Sequence, residues 1–178
     1  MIVITVPAIE MFNEATQEFI QTKEQVLQLE HSLVSLSKWE SKWNKPFLDS
    51  ADKSIAETLD YIKCMTITQN VHDDVYTRLS KSNIEAINNY IDAPMTATTF
   101  PDNNGHSREI ITSEIIYYWM ISLNIPFECQ KWHLNRLLTL IRVCNVKNTP
   151  PKKMSKREIM SRNAALNAAR RKKLNSKG

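Results

Sequence analysis

The chain has 178 residues, with 23 Lys/Arg against 19 Asp/Glu, three Cys and two Gly, at positions 105 and 178. That length suits one ordinary domain plus an appendage, and a body of about 150 residues buries about 70% of its unfolded surface, enough to fold without staples. A single internal glycine excludes phosphate-cradling loops, the dinucleotide-binding fingerprint and the glycine-flanked serine elbow of hydrolases, all of which need glycines at fixed offsets.

Residues 2–6, alternating Ile, Val and Thr, read as a short strand stopped by Pro7. Residues 18–22 and 26–30 read as a pair of strands around a Lys23-Glu24 turn. A helix competes there, because Glu, Gln and Leu are good helix formers. From Ser32 the period becomes helical, with Leu33, Leu36 and Trp43 recurring and Trp39 beside them. Lys38, Lys42 and Lys45 fall on the other side. Residues 37–40 (SKWE) are a candidate capping box, with an earlier start at Ser32 as the alternative, and Pro46 ends the helix.

Residues 56–65 fit a second helix through Leu59, Ile62 and Met65. Residues 75–79 and 83–91 are two further helical pieces, and 92–109, with two prolines and Gly105, is a loop. Residues 112–123 form a helix that is apolar on almost every side and is therefore expected to be central. Pro126 breaks it, and a helix resumes over 128–143 with Leu134, Leu137, Leu138 and Ile141 inward. The longest apolar run, 115–123, is too short for a membrane span. Three cysteines in no paired spacing, together with the absence of a leader-like start, point to a reducing cytoplasm without membrane association.

The expected class is mainly α (α+β): short N-terminal strands or a hairpin, then a helical bundle and a basic C-terminal helix. A body at 1–147 is expected to meet a Pro-rich linker at 148–153, and a basic helical tail follows at 154–178. From 152 to 178 there are ten Lys/Arg against Glu158, a charge of +9. The other residues carry 13 basic and 18 acidic side chains, or −5, and the two parts give the +4 of the whole chain. The tail's apolar residues, among them Ile159, Met160, Ala164, Leu166 and Ala169, form no wide stripe.

Trp39 and Trp43 invite an interface reading, since tryptophan is enriched at binding hot spots. Leu33 and Leu36 extend the same face, which favours core. A docking role then falls to the rim and to Phe47, so the candidate interface set is Trp39, Trp43 and Phe47. Cys129 and His133, four apart, could supply half of a metal site, but no second half is evident. A buried thiol and a satisfied imidazole are the favoured reading, and no metal or cofactor is expected. Glu128 is expected in a helical first turn, where the dipole favours a carboxylate. Asp73 and Asp74 are adjacent, so their side chains diverge, and no nucleophile–base pair is evident. An enzyme is not expected.

The candidate partner-binding set is Lys152, Lys153, Lys156, Arg157, Arg162, Arg170, Arg171, Lys172 and Lys173. Such a cluster can neutralise several phosphates with a steep salt dependence, but without interleaved aromatics it does not stack bases. An acidic protein, a nucleic acid and plain solvation are the three readings open to it.

The blocks LEHSLVSLSKWESKWNKPFL, YIKCMTI, APMTATTF, EIIYYWMISLNIPFECQKWHLNRLLTLIRVCN and PPKKMSKREIMSRNAALNAARRKKLN cover most of the chain from about Leu29. They resemble the tail assembly chaperones, small tail-region proteins of long-tailed bacteriophages. The resemblance implies a non-catalytic morphogenesis factor in the host bacterial cytoplasm, or in the virion. Its implied partners are the tape measure protein, the tail tube protein and further copies of itself. The alternative is a virion structural or DNA-packaging component whose basic tail contacts nucleic acid.

Overall fold

A computed structural model describes residues 1–13, 18–49, 53–100, 110–150 and 155–175. It is mainly helical behind an N-terminal β ribbon. Strand β1 (Ile2–Val6) pairs antiparallel with β4 (Gln25–Leu29), and β2 (Glu10–Asn13) pairs antiparallel with β3 (Glu18–Gln21). Partner numbers total 31 in both ladders, from Ile2 opposite Leu29 to Asn13 opposite Glu18, so one register runs through both. The interruption begins at Pro7, which has no N–H for a ladder. Past it, the Thr22 N–H donates to the Ile9 carbonyl and the Ile9 N–H to Thr22 Oγ1, each at 2.9 Å.

The expected hairpin between 18–22 and 26–30 is corrected here. Strands β3 and β4 lie close to those positions, but each pairs with an earlier strand, and residues 22–24 are the irregular passage between them. Burial gives the reason. Strands β1 and β4 alternate in step, so Ile4, Val6, Leu27 and Leu29 share one buried face that a local hairpin would have left unmatched. The far edge of β4 is also used: the Glu30 N–H donates to the Met65 carbonyl at 2.9 Å, and the Ile67 N–H to the Gln28 carbonyl at 2.8 Å.

The helices are α1 (Leu33–Trp43), α2 (Ile55–Met65), α3 (Asp74–Thr77), α4 (Lys81–Asp92), α5 (Ser113–Ser122), α6 (Leu134–Asn148) and α7 (Lys156–Leu174). A 3₁₀ helix (Phe127–Lys131) precedes α6. Serine caps start α1, α2, α4 and α7. In α1 the cap is Ser32 in a reciprocal box with Ser35, so the box expected at 37–40 does not form. Asn44, in the left-handed region at φ 54°, closes α1 before Pro46.

Helix α1 is the inner element. Leu33, Leu36 and Trp39 have no exposed surface, and the helix packs against α2, α5 and the 3₁₀ helix. The expectation that α5 would be central is therefore corrected. It buries Ser113, Ile116 and Met120 along one face and leaves Tyr118 and Ile121 outside. The helix expected over 128–143 is also divided. The chain is extended at Trp132, His133 bridges to Ser32, and the Leu134 N–H donates to the His31 carbonyl at 2.8 Å. That pairing needs β geometry, so a continuous helix cannot cross it.

Two compact units emerge, Met1–Asn145 and Val146–Gly178. Helix α6 runs to Asn148, beyond its expected end at 143 and into the stretch read as a linker. Among the described residues, no helix is long and apolar enough to cross a membrane.

Candidate partner-binding site

Helix α7 begins at Ser155, whose Oγ accepts the Glu158 N–H at 3.2 Å while the Glu158 carboxylate accepts the Ser155 N–H at 2.7 Å. That second bond holds the Glu158 carboxyl below the usual carboxylate range. At the other end Arg171, Lys172 and Lys173 occupy the last turn, where cations complement the helix dipole. Asn175, at φ 50°, caps the terminus by donating its N–H to the Arg171 carbonyl.

Lys156, Arg157, Arg162, Arg170, Arg171, Lys172 and Lys173 all lie on this helix, and none of its residues is buried. Lys152 and Lys153 lie outside the described residues. At about 1.5 Å per residue, the basic clusters at the two ends stand roughly 20 Å apart. The neutral stretch 163–169 (NAALNAA) separates them. Four consecutive cations, 170–173, step around the helix by about 100° each, so the positive charge encircles it. Ile159, Met160, Leu166 and Leu174 are exposed, and the polar Asn163, Asn167 and Arg170 interleave among them on the same side of the helix.

The aromatic trio divides. Trp39 has no exposed surface and Phe47 is buried, so the interface reading fails for both. They are core because the Phe47 ring stacks on Tyr61 at 3.9 Å and meets Trp39 edge-on at 5.1 Å. The Trp39 indole N–H donates to the Glu57 carbonyl at 2.9 Å. Trp43 is half-buried, stacked on Trp39 at 6.2 Å, and its N–H donates to Asp60 Oδ2 at 2.9 Å. Lys42 pairs with the same carboxylate, and Lys45 pairs with Glu57 at 2.6 Å, so polar bonds as well as aromatic packing lock α1 to α2. Lys45 and the Ser54 cap together lower the Glu57 carboxyl to about 2.

His133 donates from Nε2 to the Tyr90 carbonyl at 2.9 Å, and its Nδ1 accepts the Asn135 N–H at 3.3 Å. Both nitrogens are engaged. Cys129 is buried on the 3₁₀ helix, and burial pushes its thiol up, away from the thiolate that nucleophilic or metal chemistry needs. Glu128 is on that 3₁₀ helix. Asp73 pairs with Lys63 at 2.9 Å, and Asp74 pairs with His72 at 2.6 Å and Arg78 at 3.4 Å. Among the described residues, no group of three or more His, Cys, Asp or Glu is placed to hold a metal ion.

Some anchoring residues have no signature in the sequence. Glu40 is buried and accepts the Phe47 N–H at 2.8 Å and the Ser113 N–H at 2.7 Å. Arg78 spans the ribbon's interruption, donating from Nη1 to the Pro7 carbonyl at 2.9 Å and to Thr22 Oγ1 at 3.1 Å. Their partners lie up to 73 positions away, beyond the reach of any local pattern. Comparison with protein-family models, with curated proteins and with solved structures yields no match.

Proposed function

We propose that this chain is a non-catalytic morphogenesis factor: a folded body bearing a basic helix that grips an extended partner, in the manner of a tail assembly chaperone acting on a tape measure protein. The observation that carries this reading is α7. It is 19 residues long, has seven Lys/Arg against one Glu, is capped at both ends and buries none of its side chains. A helix with so little apolar surface draws little stability from packing, and a long partner of opposite charge supplies contacts along its length. The sequence resemblance over most of the chain supports the same role, and tail tube assembly around the tape measure protein is its expected outcome.

The test compares the full chain with one ending at Thr149 for capture of tape measure protein. The full chain should retain it and the shortened chain should not. Equal retention would remove α7 from the mechanism. A second reading, contact with duplex nucleic acid, draws on the cations that encircle the C-terminal turn. It requires an affinity that falls by orders of magnitude between low and moderate salt. Absence of DNA binding at low salt rejects it.

A further inference from the structure

Helix α5 is apolar on more sides than the core uses. Ile116 and Met120 have no exposed surface, whereas Tyr118 and Ile121, three positions apart, are 66% and 61% exposed. Tyr117 continues this surface onto the 3₁₀ helix: its ring lies 6.4 Å from that of Phe127, itself 53% exposed, and its hydroxyl donates to Gln130 Oε1 at 2.9 Å. Because Tyr117 is one helical turn from Ile121, the strip Phe127–Tyr117–Ile121–Tyr118 is continuous.

We propose that this strip is the contact through which two copies of the chain associate, α5 against α5, antiparallel about a two-fold axis. Area is the first argument. An aromatic side chain offers about 200 Å². The exposed fractions then place roughly 350 Å² of apolar surface on Tyr118, Ile121 and Phe127, before Tyr117 is added. A standard-size interface takes about 800 Å² per partner, somewhat over half of it apolar, so the strip supplies most of the apolar share.

Charge is the second argument. Glu114 is the only charged residue of α5 and sits in its first turn. Antiparallel pairing places the two Glu114 carboxylates at opposite ends of the contact and opposes the two helix dipoles, whereas parallel pairing would bring like charges together. The contact uses no residue of α7 and is independent of the tail's role.

Sedimentation velocity of the full chain across the micromolar range should show a concentration-dependent dimer that persists in high salt, as an apolar contact does. Ile121→Glu should sediment as a monomer with an unchanged far-UV spectrum, and Tyr118→Ser should weaken the dimer with less risk to folding. A full chain that stays monomeric throughout overturns the proposal. So does a dimer that neither substitution weakens. A monomer whose strip becomes protected only on adding a foreign protein assigns the surface to that protein and also overturns it.

Discussion

Glu40 accepts one N–H from the loop after α1 and another from the first turn of α5, with its side chain almost withdrawn from solvent. Glu40→Ala leaves both donors buried without acceptors, and at about 1–3 kcal/mol for each the loss should reach roughly 2–6 kcal/mol. Glu40→Gln keeps one carbonyl oxygen and should fall between. Urea midpoints at neutral pH check the order, and an alanine variant as stable as the parent contradicts it. His31 and His133 make the acid response a residue-scale matter as well. Their rings meet edge-on at 5.1 Å, and Tyr61 shares a 2.6 Å hydrogen bond with His31 Nδ1. Burial, and then the neighbouring His133, lowers His31 from 6.5 to about 3, and burial lowers His133 too. Between those values the unfolded chain binds a proton that the folded one refuses. For His31 the contribution is thus complete above pH 6.5 and is lost as pH falls toward 3, by about 1.4 kcal/mol per pH unit, and His133 adds to it in the same direction. His31 alone should therefore cost about 2 kcal/mol at pH 5. Denaturation at pH 7.5 and 5 measures the slope, which His31→Gln should flatten; parallel slopes for the two proteins would refute the assignment.

At the scale of elements, serine caps and proline stops explain where most helices begin and end. Helix α7 depends on its cap more than the others do, because no buried face supports it. Ser155→Ala removes the acceptor for the Glu158 N–H and should cost the helix about 1 kcal/mol. Backbone chemical shifts in the first two turns should move toward coil; unchanged shifts would mean that the alanine-rich centre holds the helix unaided. The ribbon behaves differently. Its strands were visible as alternating apolar runs at 2–6 and 26–30, but β2 carries no such alternation and went unread. Which strand met which was settled by the buried layer of Ile4, Val6, Leu27 and Leu29.

For the molecule as a whole, charge separates from fold. Ending the chain at Thr149 removes +9 from +4 and leaves −5, while taking away a helix that buries nothing of itself. The shortened protein should keep its melting temperature within about 2 °C, since no buried apolar surface is lost, yet reverse its behaviour on ion-exchange resins. A large drop in melting temperature would show that the tail stabilises the body. The two compact units thus differ in kind: an apolar core built around α1, and a cationic helix that buries none of its side chains.

The mainly helical class, the N-terminal strands and the basic terminal helix were legible in the sequence alone, because periodicity, caps and prolines act over a few residues. Trp39 could also be placed inside, since Leu33 and Leu36 marked its face. Tertiary structure decided the rest. An almost uniformly apolar α5 has no period to say which side stays wet, so only the position already taken by α1 could leave Tyr118 and Ile121 outside. The break at Trp132 exists because His133 pairs with Ser32, and Glu40 is an anchor because Ser113 arrives beside it. Such choices depend on which surfaces meet across long separations, and local propensity carries no term for that meeting.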